Sequence, residues 1–294
     1  MSVVMFHSGK EFPIFLEYCF KQFRRFNPIM TVYFLTDTEH LENPVFTKYE
    51  VIVKDKDKYY TDNINQFNVL FGRGEKDFWT ITSTRLFYIA NFIKAEGLRD
   101  IFHFENDVLI FMDLSLWHKC FQRLYKHLAI TIGGEDKAMT GFMFISLGNA
   151  LKDMTDFFIY LLKTYSIEEL KKQYVMDMLN EMTLMRIYGK EHPDRLIPLP
   201  ILPFGEWSRE YSVFHSIFDP ASWGQFVGGT TNGVPGAKPE DHYIGQLLRK
   251  HPEYNVIWKE DDKKYQIPYF KCNGQEVKIN NLHIHSKNLN KYMS

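Results

Sequence analysis

Residues 1–53 of this 294-residue chain set its fold class. Val3-Val4-Met5-Phe6 is an apolar run of strand length that ends at His7-Ser8-Gly9. A helical pattern follows through Ile14, Phe15, Leu16, Phe20 and Phe23, closing near Asn27-Pro28. Thr31-Val32-Tyr33-Phe34-Leu35 reads as a second strand from its β-branched and aromatic content, and Val51-Ile52-Val53 as a third. Strand, helix, strand is the opening of a parallel α/β sheet. In such sheets ligands bind beyond the carboxyl ends of the strands. Ser8, after the first strand, and Asp37, after the second, are therefore candidate site residues.

Further along, residues 54–60 read as a solvated charged loop. Residues 78–93 read as an amphipathic helix, with Trp79, Thr82, Leu86, Ile89, Ala90 and Ile93 spaced at three and four and with Arg85 mid-helix. Helices are predicted over 116–125, 151–165 and 167–188, and strands over 128–132 and 141–145. From Pro193 onward, recurring proline and glycine predict a loop-rich final third with short strands. Loops of that length usually carry function.

Composition narrows the classes. Hydrophobic residues make up 45% and charged residues 24%, as in ordinary globular chains. The formal net charge of -1 gives no basic field to recruit nucleic acid. Cys19, Cys120 and Cys272 lie far apart and form no CxxC pair, which argues against a zinc ribbon or a disulfide framework. No charged segment followed by a long apolar one opens the chain, and no stretch approaches the ~18 apolar residues of a spanning helix. The expectation is a cytoplasmic protein without a membrane span.

The chemistry gathers in two short segments. The first is Ile101-Phe102-His103-Phe104-Glu105-Asn106-Asp107, an apolar run that stops at two carboxylates. An isolated E-x-D is more often a solvated turn. Behind a buried strand, however, charge is costly unless paired or bound to a cation. In extended chain Glu105 and Asp107 share one side, where a hard divalent cation could be gripped and could itself grip a diphosphate. The second segment is His283-Ile284-His285-Ser286-Lys287. A histidine there could complete a carboxylate-bound metal, and Lys287 could neutralise phosphate charge. Imidazole alongside carboxylates suits Mn²⁺ better than Mg²⁺.

Phe102-His103-Phe104-Glu105-Asn106-Asp107-Val108-Leu109 resembles the E-N-D variant of the Asp-x-Asp motif of GT-A-fold nucleotide-sugar glycosyltransferases, as found in bacterial and large-virus members. Phe6-His7-Ser8-Gly9, Leu35-Thr36-Asp37, Phe78-Trp79 with Arg85, Gly141-Phe142-Met143, Phe218-Asp219, Gly224-Gln225 with Gly228-Gly229, and the 282–287 tail follow in that family's order. The resemblance implies a Rossmann-like α/β/α sandwich with a mostly parallel mixed central sheet. It implies one domain over 1–294, with about 1–140 binding the nucleotide sugar and about 141–294 binding the acceptor. It also implies a metal held by Asp107 and by His285, or less readily His283, with Glu105 directed at the donor ribose or metal-bound water. Lys287 would face the diphosphate and Arg85 the donor, and Ser8 and Asp37 the nucleoside, with Asn106 beside them. The cofactor would be Mn²⁺ or Mg²⁺, the substrates a nucleotide sugar and a carbohydrate acceptor.

An inverting transferase needs a carboxylate base against the acceptor hydroxyl. Asp177, Asp219 and Asp241 are the candidates. Asp219 is preferred, because the glycines after it would let backbone approach a sugar closely. Trp207, Tyr211, Trp223 and Phe226 either stack on sugars or pack loops onto the core. Two other readings compete: a metal-dependent phosphate hydrolase, and a non-catalytic carbohydrate-binding protein on a decayed transferase fold. The first strand ends without an aspartate nucleophile, which counts against the hydrolase.

Overall fold

The computed structural model describes residues 1–228, 244 and 256–294. Asp241 and Gly229 lie outside the described residues. The chain opens with β1 (Ser2–Phe6), α1 (Leu16–Phe26), β2 (Val32–Thr36), α2 (Pro44–Lys48) and β3 (Val51–Asp55). After these come α3 (Asp62–Phe71), α4 (Phe78–Ala95), β4 (Ile101–Phe104), β5 (Val108–Ile110), α5 (Leu114–Leu124), β6 (Leu128–Gly134) and β7 (Lys137–Ile145). Three helices follow, α6 (Ala150–Thr164), α7 (Ile167–Tyr174) and α8 (Glu181–Glu191). The final third holds β8 (Leu196–Pro198), α9 (Tyr211–Phe214), β9 (Ser216–Ile217), α10 (Trp223–Gly228), β10 (Val256–Glu260), β11 (Gln266–Cys272), β12 (Gln275–Ile279) and β13 (Asn281–His283).

The main sheet has the order β3-β2-β1-β4-β7-β6-β8. Only β7 runs against its neighbours, so the sheet is mixed and mostly parallel, as expected. Every residue of β1 and of β4 is buried, which is why both read as unbroken apolar runs. One core cluster, with α1 and α5, covers one face; a second, with α3, α4, α6 and α8, covers the other. The first cluster runs from Val3 to Leu289, so the tail is packed into the same core as the opening strand. No helix among the described residues is long and apolar enough to cross a membrane.

Three local expectations are corrected. The helix expected over 167–188 is two helices, α7 and α8. Val175 ends α7 in a left-handed conformation (φ 53°), and Asn180 with Thr183 forms a reciprocal cap that starts α8. Asp177 therefore lies on an exposed turn and not on a helix. The loop expected at 54–60 is a continuation of β3 and a short helical turn that buries Lys56 and Tyr59, with Lys56 paired to Asp37 at 3.0 Å. The final third is more regular than its proline content suggests: β10, β11, β12 and β9 form a second sheet. Helices α2 and α3 add to the elements expected from the sequence.

Candidate metal centre

The acidic segment is a turn and not the extended strand end expected from its sequence. Val108 N–H closes it onto the Glu105 carbonyl at 3.1 Å, between β4 and β5. The turn sits at the carboxyl edge of the sheet, and Asn106 Nδ2 ties it to β1 by donating to the Phe6 carbonyl at 3.0 Å. The tail reaches it by pairing β13 antiparallel to β5, His283 opposite Val108. One more main-chain bond extends the pairing, from Ile284 N–H to the Asp107 carbonyl at 2.9 Å.

That register puts His283 Nε2 3.1 Å from Asp107 Oδ1 and 3.5 Å from Glu105 Oε2. Glu105, Asp107 and His283 each offer a ligand atom within 4.8 Å of the others. The histidine that joins the carboxylates is thus His283, where the sequence favoured His285. β13 ends at His283, and His285 falls in the turn beyond it, its ring 4.2 Å from that of His283 and its nitrogens facing Gln225 Nε2. Two glycines make room for this strand. A Cβ on Gly141 would stand 2.6 Å from His283 Nδ1, and one on Gly224 2.2 Å from the His283 carbonyl oxygen.

Two cationic side chains flank the acids. Arg85, projecting from α4, donates from Nη2 to Glu105 at 3.1 Å and to Thr140 Oγ1 at 2.9 Å. Thr140 in turn donates to Glu105. Lys287 pairs with Asp107. Burial pushes Glu105 upward, but Arg85 and His283 overcome it and leave the carboxyl below its ordinary value. Asp107 is likewise pulled well down by His283 and Lys287 against its burial. Burial works against the His283 imidazolium, and Asp107 more than offsets it, so its pKa is raised. His285 goes the other way, to about 3, through burial and its neighbour His283.

Two carboxylates and an imidazole form a donor set suited to a divalent cation of the Mn²⁺ type. Asn106 Oδ1 and Ser286 Oγ, on the two segments that form this site, are buried without a hydrogen-bond partner, unusual for a native interior.

At the neighbouring strand ends, Asp37 Oδ2 accepts from Gly9 N–H at 2.8 Å and is also bonded by the Ser8 side chain. Ser8 and Asp37 are thus brought together beyond β1 and β2, one strand over from the acidic turn.

Asp219 is not the open base expected. It is fully buried. Its Oδ1 accepts from the main-chain amides of Ser222 (2.7 Å) and Trp223 (2.8 Å), and Oδ2 from those of Gly224 and His283 (2.9 Å each). Those four donors occupy the acceptor capacity of an ionised carboxylate. Trp223 is core, packed 4.5 Å from Phe270, whereas Phe226 is exposed.

The carboxylate that sequence reasoning missed is Glu181, the first residue of α8. It is buried and accepts from Thr82 Oγ1 at 2.8 Å. Burial raises it to about 7, against the pull of Arg85 and Thr82. Arg85 thus acts electrostatically on Glu181 as well as pairing with Glu105. The only sequence signal for Glu181 is its place after the capping Asn180, which reads as an ordinary helix start.

No family model and no curated relative matches this chain. Among solved structures it is similar to mouse xyloside xylosyltransferase 1 (12% identity, TM-score 0.49, covering 72% of this chain and 91% of that one). It is also similar to the PaToxG glycosyltransferase (9%, 0.43, 65% and 69%) and to the galactosyltransferase LgtC (12%, 0.41, 67% and 73%). All three scores are below 0.5.

Proposed function

We propose that this chain is a metal-dependent glycosyltransferase that moves a sugar from a nucleotide-sugar donor to a hydroxyl acceptor. The observation that carries the reading is the meeting of Glu105, Asp107 and His283, from segments almost two hundred positions apart, at the carboxyl edge of a mostly parallel sheet. The sequence resemblance to GT-A-fold transferases supports the same reading. Glu105, Asp107 and His283 would hold Mn²⁺ or Mg²⁺. When bound, such a cation supplies Lewis-acid stabilisation of a departing diphosphate.

The remaining roles belong to the chain. Lys287 and Arg85 neutralise phosphate charge. Ser8, Asp37 and Asn106, at the ends of β1 and β2 and on the acidic turn, hold the nucleoside. Glu181, held by Thr82 on the same helix as Arg85, adds negative charge near that guanidinium when ionised. Of the expected base candidates among the described residues, Asp177 is the exposed one, on the turn that leads into Glu181. It is the carboxylate open to an acceptor hydroxyl. The half of the chain up to about residue 140 takes the donor, and the rest the acceptor.

The test is calorimetry and thermal shift with a panel of nucleotide sugars, with and without Mn²⁺. Saturation at 100 times Kd should stabilise the wild type by about 2.7 kcal/mol, and Asp107→Ala should abolish the Mn²⁺-dependent part. Nucleotide binding that is unchanged in Asp107→Ala would refute the reading.

A further inference from the structure

A cleft of about 460 Å³ lies between the β6–β7 turn and the α7–α8 junction, lined by Glu135, Asp136, Gln173, Tyr174, Val175 and Lys190. Its size is that of a small-ligand site. None of these residues belongs to the metal centre. β4 and β6 both run antiparallel to β7, so they point the same way, and the turn after Gly134 emerges at the sheet edge that carries Glu105. In the order β3-β2-β1-β4-β7-β6-β8, Ser8 and Asp37 flank the acidic turn on one side and the cleft flanks it on the other. Two strand spacings, about 10 Å, separate β4 from β6, and the register sets Gly134 three residues, about 10 Å, beyond the level of Phe104, so the turn stands about 14 Å from the end of β4, the length of two to three sugar residues.

The walls are fixed. Arg186 Nε donates to the Glu135 carbonyl at 3.0 Å and pins the β-turn to α8. Tyr174 Oη donates to Glu191 Oε1 at 2.9 Å, which holds its ring from outside the cleft. Val175 is 84% exposed at φ 53°. A β-branched residue in the left-handed region is a true outlier, and such strain tends to cluster at ligand sites. The lining combines an aromatic ring and an aliphatic side chain with a primary amide, two carboxylates and an ammonium. Those polar groups can both donate to and accept from vicinal hydroxyls. Two acids against one lysine leave no excess positive charge for an anionic ligand.

We infer that this cleft is an outer subsite for a neutral oligosaccharide acceptor, binding a sugar two to three residues away from the reacting hydroxyl. The inference rests on the glycosyl-transfer reading, and the donor would lie on the opposite flank of the acidic turn. Acceptors of three residues then bind better than single sugars.

Saturation-transfer NMR tests it with methyl glycosides and with cello-, xylo-, malto- and manno-oligosaccharides of one to four residues. In at least one series, affinity should rise from one to three residues. The double variant Gln173→Ala, Lys190→Ala should weaken the trisaccharide about fivefold to tenfold, the loss of one or two hydrogen bonds, and leave the monosaccharide unchanged. Both side chains are exposed, so the melting temperature and Mn²⁺-dependent nucleotide binding should not move. Absence of binding in every series, affinity independent of length, or a double variant that binds the trisaccharide like wild type would each overturn the subsite. Failure of the transferase reading shows separately, as loss of Mn²⁺-dependent nucleotide binding in the wild type.

Discussion

Glu181→Gln should make the protein more stable at alkaline pH and flatten its response to pH. The native carboxyl lies at about 7 against an ordinary 4.5, because burial between α4 and α8 disfavours its charged form. The native state therefore holds this proton more tightly than the unfolded chain does. The difference amounts to about 3 kcal/mol. That contribution is complete below pH 4.5 and is lost as pH rises through 7. Glutamine keeps the shape and still accepts from Thr82 Oγ1, but it cannot ionise. Urea denaturation at about pH 5 and about pH 8 measures the effect. The stability of the variant relative to wild type should rise by about 2.5 kcal/mol across that interval. Parallel pH profiles for the two proteins would refute the buried-carboxyl argument, whatever their absolute stabilities.

Asp219→Ala should cost at least about 4 kcal/mol in urea denaturation, since it leaves four buried amides without an acceptor. A loss under about 1 kcal/mol would show that water reaches those amides. Gly224→Ala should destabilise by about 3 kcal/mol or more, because the new methyl meets His283 main chain, which cannot rotate away. It should also remove the Mn²⁺-dependent thermal shift; an intact shift would mean that β13 tolerates displacement. Lys287→Ala should change stability by less than about 1 kcal/mol, because the pair with Asp107 is part-exposed. It should nevertheless weaken nucleotide-diphosphate binding about tenfold by calorimetry, and unchanged affinity would remove Lys287 from the diphosphate.

The parts of this protein that were legible in its sequence are those fixed by local pattern. Val3-Val4-Met5-Phe6 and Ile101-Phe102-His103-Phe104 announce buried parallel strands because both faces are covered. Glu105 and Asp107 announce each other because they are two residues apart. Arg85 was legible from its place on the 78–93 helix. What failed depended on packing between distant elements. The choice of His283 over His285 is decided by the register of a three-residue strand against β5. Glu181 looks like a surface residue at a helix start, and only the packing of α8 against α4 buries it. The break before Asp177 could not be foreseen, since it relies on a valine in a conformation that valine disfavours.

Asp219 shows why glycine beside an acid is an ambiguous signal. The same residue types would serve a base approached by a sugar or a backbone approached by another backbone. Here Gly224 admits the main chain of His283 to a distance no side chain would allow, and Asp219 binds the amides of both residues. Gly141 clears the space over the imidazole from the other side. The acid expected to act on substrate instead builds the strand that brings His283 to Glu105 and Asp107. Its place in the chain, just before the α10 turn, follows from that task. A substitution at Asp219 should therefore lower activity only as far as it displaces the tail, and stability and metal response should fall together rather than separately.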